Sequence, residues 1–202
     1  MVEENILQKY GKWAILAFLS VSLVYGGYLY YINRQNTTAL AASTVYDSMM
    51  AAVQKSDKKI AKREALSLIE TYPKTSYGNL AYLTLAKIAM EERDLKTAAD
   101  NLRKVISAKN DFPFQHIARI RLSRVLAAEK NYEDALEILS IKTDPGTYLT
   151  LYEEAKGDIY LLQNEKAKAA LAYQAAMKAL PAEISQPRLQ LKLTDLGIKE
   201  SS

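Results

Sequence analysis

Hydrophobic positions fall into two regimes along this chain. From Trp13 to Asn33 no charged residue occurs in 21 positions. A helix of that length is about 31 Å long, close to the ~30 Å hydrocarbon core of a bilayer. Tyr10 and Trp13 lie at one end, and Tyr28, Tyr30 and Tyr31 at the other, where amphipathic rings favour the headgroup level. Lys12 and Arg34 bracket the run and can snorkel. The pattern predicts a transmembrane helix over 13–32, preceded by a short segment 1–12. A cleaved signal peptide competes, because Ala39-Leu40-Ala41 resembles a cleavage site. Against it, the apolar run exceeds the ~7–15 residues of a signal peptide and Arg34 intervenes. Lys9 and Lys12 precede the span, and Arg34 alone follows it before Lys55. By the positive-inside rule the N-terminus is cytoplasmic and the remainder lies across a bacterial inner membrane, in the periplasm.

Beyond Arg34 the pattern changes. After a polar linker at 33–38, apolar residues recur three and four apart and strand alternation is nearly absent, which predicts helices. The helices repeat. Leu85, Ala86, Ala89, Asp94-Leu95, Ala98, Leu102 and Val105 define a set of slots. Shifted by 37, the slots hold Leu122, Ser123, Leu126, Asn131-Tyr132, Ala135, Leu139 and Lys142. Shifted by a further 34, they hold Lys156, Gly157, Tyr160, Glu165-Lys166, Ala169, Tyr173 and Ala176, then Pro181. A fainter copy contains Ala52, Ala61, Ala65, Leu68 and Tyr72-Pro73. Period, small residues and closing proline are those of tetratricopeptide helix-turn-helix units. Small residues at Ala86, Ser123 and Gly157, and at Ala98, Ala135 and Ala169, let paired helices approach closely.

The expected fold is all-α: one N-terminal transmembrane helix followed by a tetratricopeptide-like solenoid. The repeats occupy 39–185, at about 42–73, 79–112, 116–147 and 150–183. A capping helix follows over 186–198, with Pro187 in its first turn and Leu189, Leu191, Leu193 and Leu196 as apolar surface.

Composition then removes chemistries. Among 202 residues there is no Cys and one His, His116, which excludes disulfides, thiolate metal sites and Cys nucleophiles. Neither G-x-x-x-x-G-K-[ST] nor G-x-G-x-x-G occurs. Glu91-Glu92 and Glu153-Glu154 are adjacent carboxylates; on a helix they diverge, so a solvated face is expected rather than an acid-base pair. His116 reads as an ordinary surface or cap residue. No cofactor and no metal are expected, and the protein reads as non-enzymatic. A net charge of +4 over the whole chain gives no argument for nucleic acid.

The candidate site is a groove on the first helices of the pairs, the usual ligand surface of such solenoids. By helix phase it receives Lys87 and Met90, then Ile117, Ile120, Arg121 and Arg124, then Glu154, Asp158 and Leu161. Arg121 and Arg124 are three apart and share a face, where two guanidinium groups could hold a carboxylate or peptide backbone. The competing reading pairs them with Asp158 and Glu154.

Several strings carry a family resemblance. Thr75-Ser76-Tyr77-Gly78 through Leu83-Thr84-Leu85-Ala86 resembles a T-Y-G-x-L-A-x-L-x-L-A segment, and Ile120-Arg121-Leu122-Ser123-Arg124-Val125 an N-L-R-L-A-R-V segment. Leu151 to Leu162, with Lys156-Gly157-Asp158, is similar to L-R-G-E-A-L-L, and Leu189-Gln190-Leu191-Lys192-Leu193 to M-Q-M-K-I. Together they resemble the YfgM-like family of ancillary subunits of the bacterial SecYEG translocon. That resemblance implies an inner-membrane adaptor with periplasmic repeats. It implies association with SecYEG and with a membrane-anchored prolyl-isomerase-type chaperone, and handover of unfolded client polypeptides to periplasmic chaperones. The alternative is a tetratricopeptide scaffold of another envelope or secretion complex.

Overall fold

The computed structural model describes residues 3–108, 112–141, 144–181 and 184–197, without the side chains of residues 3–10, 14 and 112. Among them there is no strand. The helices are α1 (Glu3–Gln54), α2 (Lys58–Thr71), α3 (Ser76–Glu91), α4 (Leu95–Ile106), α5 (Phe112–Ala128), α6 (Tyr132–Glu137), α7 (Leu149–Leu162), α8 (Lys166–Lys178) and α9 (Pro187–Asp195), with a short 3₁₀ turn at Gly146–Tyr148 before α7.

The first helix corrects one expectation. A polar linker was expected at 33–38, but α1 runs through it without interruption for 52 residues, about 78 Å at 1.5 Å per residue. The segment holds neither Gly nor Pro, so nothing in it opposes the helix. Thr37 and Thr38 donate their hydroxyls to the Arg34 carbonyl at 3.0 and 2.8 Å, a local bond that leaves the backbone helical. The apolar part of α1 is long enough to cross a membrane. Trp13, Phe18 and Leu23 are each over 70% exposed, as expected of side chains facing lipid.

The same helix then enters the folded core. Ala42 and Met49 are fully buried and pack with Ala65, Leu68 and Ala81. Helix α1 therefore ends as the first helix of the first pair, with α2 as its partner. The other pairs are α3/α4, α5/α6 and α7/α8.

One backbone device closes each first helix. Ser56, Arg93, Lys130 and Asn164 have φ of 58°, 60°, 62° and 62°. The residue after each donates its N–H at 2.9 Å to a carbonyl five positions back: Asp57 to Ala52, Asp94 to Ala89, Asn131 to Leu126, Glu165 to Tyr160. The left-handed residue turns the chain while helix-end carbonyls keep partners. The faint first copy thus shares the turn of the clear ones. Asp57 and Asp94 then cap the second helices, accepting from the N–H groups of Ile60 and Thr97 at 3.0 Å.

Close approach depends on the small residues. Ala86, Ala98, Ser123, Ala135 and Ala169 are all buried. A Cβ on Gly157 would lie 2.3 Å from Cε1 of Tyr173, so the ring of α8 occupies the space that a side chain on α7 would need. Helix α6 is short, six residues; the slot at Lys142 lies outside the described residues. One continuous core cluster joins α3 to α7, and a separate one at the end joins α8 to α9. In α9, Leu189 and Leu193 are buried, whereas Leu191, also expected to be apolar contact surface, is exposed. It sits two residues from each and points to the opposite side of the helix.

Candidate partner-binding surface

The first helices α1, α3, α5 and α7 contact one another in sequence, and the candidate residues lie along that row. They do not form one site. Lys87 and Met90, on the last turns of α3, are exposed. The Lys87 Nζ lies 4.0 Å from Glu91, whose carboxylate also meets Lys58 of α2 at 3.0 Å. The hydrogen bond from Lys58 is the main reason the Glu91 carboxyl is held below its usual pKa. Lys62 of α2 pairs with Glu92 at 2.7 Å, so this end of the row is a surface ladder of ion pairs between α2 and α3.

On α5 the candidates split. Ile120 is buried and so closed to a partner, while Ile117 is partly buried and packs against the core; α5 is flanked by α3 and α7. Arg121 and Arg124 are exposed. Partial burial, with the charge of Arg124 beside it, lowers the pKa of Arg121, although a guanidinium remains charged throughout the physiological range.

Glu154 and Asp158, expected beside the arginines, face the other way. Glu154 is fully buried and meets Arg188 of α9 at 2.8 Å and Lys192 of α9 at 2.8 Å. Lys192 also bonds Asp158, and the Tyr173 hydroxyl donates to Asp158 at 2.8 Å. Burial first, then that carboxylate, keeps the Tyr173 hydroxyl protonated well above its ordinary range. Glu154 is therefore closed to a partner, and the expectation of a solvated face at Glu153-Glu154 is corrected. Glu153 pairs with Lys156 at 2.7 Å, and Glu154 lies in an interior ion cluster. Helix α9 occupies the position that the first helix of a further pair would take. Its cations at 188 and 192 match the four-residue spacing of the acids at 154 and 158. That matched spacing is the signal of this closure carried by the sequence. Leu161 and Leu162 are exposed at the end of α7.

His116 departs from an ordinary surface residue. Its ring stacks on Tyr148 with centroids 4.7 Å apart, and Nδ1 lies 3.0 Å from the Tyr152 hydroxyl. Burial, then the charge of Arg119, lowers its pKa, and burial raises that of Tyr152 to about 12. In the Nε2–H tautomer, Nδ1 accepts from a hydroxyl that stays protonated. The group joins α5 to α7 and has no convergent nucleophile. Among the described residues no three His, Cys, Asp or Glu side chains converge to hold a metal ion.

The exposed surface along the row is thus Lys87 and Met90, Arg121 and Arg124, and Leu161, and Lys87 borders a cavity of about 140 Å³ with Lys58 and Glu91. Comparison with known proteins agrees with this architecture. The tetratricopeptide repeat-like domain family matches residues 5–198. Over nearly its whole length the chain is similar to proteins named ancillary SecYEG translocon subunit. The protein of Aggregatibacter actinomycetemcomitans is 30% identical over 92% of this chain and 89% of its own. That of Neisseria gonorrhoeae is 28% identical over 92% and 90%, and that of Escherichia coli 26% over 89% and 88%. The anchor, the four helix pairs and this end-to-end similarity coincide, and the chain belongs to the membrane-anchored, tetratricopeptide-repeat family of ancillary SecYEG translocon subunits.

Proposed function

We propose that the protein is a non-catalytic adaptor at the SecYEG channel. Its repeats lie on the periplasmic side and link translocated polypeptides to chaperones, among them a membrane-anchored prolyl-isomerase-type chaperone. The observation that carries this reading is similarity to the named relatives over about nine-tenths of the chain. Helix continuity from the anchor into the first pair supports it, because it holds the repeats beside any membrane partner and raises their effective concentration there. Arg121 and Arg124 are the groups proposed to receive a carboxylate or peptide backbone.

The test is mild-detergent purification of the intact chain with identification of co-purifying proteins. Channel subunits and a chaperone are expected, and the channel should be lost when residues 13–32 are exchanged for an unrelated membrane helix. A different envelope complex without the channel would move the function to that assembly. Arg124→Glu should weaken capture of the chaperone or client about tenfold while the channel contact persists. Unchanged capture with intact folding would remove the arginines from the site.

A further inference from the structure

The groove where α1 leaves the membrane span has no part in the adaptor reading. It lies between α1 and the loop joining α2 to α3, encloses about 640 Å³, and is lined by Tyr31, Arg34 and Thr38 on one side and Lys74, Ser76 and Tyr77 on the other. No carboxylate lines it among the described residues. Arg34 and Lys74 are exposed, and both line the groove without a carboxylate beside them. Two cations that line one cleft without a counter-charge favour an anion there.

Depth identifies the anion. Counting at 1.5 Å per residue from the end of the span at residue 32, Arg34 lies about 3 Å and Thr38 about 9 Å beyond the hydrocarbon edge. The polar layer on each side of a bilayer is about 5–8 Å thick. Tyr31 and Arg34 on the α1 wall therefore stand in the headgroup layer, with Thr38 just beyond it, and the loop carrying Lys74 lines the same groove. Tyr31 and Tyr77 present rings with polar tips, the side chains favoured at that level. We infer that this groove seats the headgroup of an anionic phospholipid, its phosphodiester held between Arg34 and Lys74 beside the Ser76 hydroxyl. The lipid would fasten the first helix pair to the membrane surface at a second point beside α1. The inference rests on the span at 13–32 and not on association with the channel, so co-purification and lipid retention fail separately.

The test uses the full chain in nanodiscs of equal phosphatidylglycerol and phosphatidylcholine, released into native mass spectrometry to count retained lipids. The intact chain is expected to retain phosphatidylglycerol in preference to phosphatidylcholine by roughly tenfold or more, at about fivefold per cation. Arg34→Gln with Lys74→Gln should abolish the preference, and Lys166→Gln with Lys178→Gln, on α8, should leave it. A preference that survives the first pair, or falls equally with the second, overturns the assignment. A second arm titrates inorganic phosphate into the chain in pure phosphatidylcholine nanodiscs by calorimetry, with no binding expected. Saturable binding lost with Arg34→Gln and Lys74→Gln would reassign the groove to a free ion and overturn the lipid.

Discussion

At the scale of single residues, two side chains set opposite constraints. Gly157 lies in the middle of α7, where Ala would ordinarily stabilise a helix by roughly 1 kcal/mol. The ring of Tyr173 reverses the sign: a new Cβ would meet it at 2.3 Å and displace its hydrogen bond to Asp158. Gly157→Ala should destabilise by about 1–3 kcal/mol, measured by urea unfolding, and a stabilised variant would refute the packing argument. His116 supplies a pH dependence. Its folded pKa lies below the ordinary 6.5, so the unfolded chain binds the proton more readily. Its contribution is complete above about pH 6.5 and is lost as pH falls through the folded value. His116→Gln should flatten the decline in unfolding midpoint between about pH 7.5 and pH 5; an unchanged slope would assign that decline to carboxylates. The small residue at 157 was legible from the repeat register. The link from His116 to Tyr148 and Tyr152 was not, because it crosses 32 and 36 positions and follows no period.

At the scale of elements, the ends of the solenoid carry the adaptation. Helix α9 caps the last pair by burying Leu189 and Leu193 and by closing Arg188 and Lys192 over Glu154. Removing one partner of a buried charge leaves the other uncompensated, but here Arg188 remains. Lys192→Ala should therefore cost about 1–3 kcal/mol, below the value for a lone buried pair. It should also speed hydrogen exchange in α9 before the other helices. Exchange that rises equally in α3 and α4 would show that α9 is not a separate closing element. The first end is adapted differently. Its opening helix is borrowed from the anchor, and residues 33–38 resemble a linker only in being polar. A polar helix face with no breaker stays helical when both ends are held.

At the scale of the molecule, the anchor and the repeat core share one helix, so they are not separable at the membrane surface. A fragment beginning at residue 39 keeps Ala42, Met49 and Ala52, and should unfold cooperatively. A fragment beginning at residue 56 loses these three, each at most 5% exposed, and uncovers Ala65, Leu68 and Ala81. Burial of Met49 alone is worth roughly 1.5–3 kcal/mol. The shorter fragment should therefore have a clearly lower urea midpoint, and equal midpoints would show that the end of α1 is dispensable.

By itself the sequence determined the class of the protein: a membrane helix, a helical repeat of defined period, and the small residues that let the pairs close. These are local or periodic properties, carried by spacing along the chain and by charge-free length. Only the tertiary structure decided which polar residues are surface. Ile120 and Glu154 share the groove phase with Arg124, yet the first is core and the second lies beneath α9, while Arg124 stays open. Helix phase gives a direction, but whether a neighbouring helix fills it depends on contacts between elements distant in sequence. The groove at Arg34 and Lys74 has the same origin. Forty residues separate its two cations, and the packing of α1, α2 and α3 brings them to one cleft.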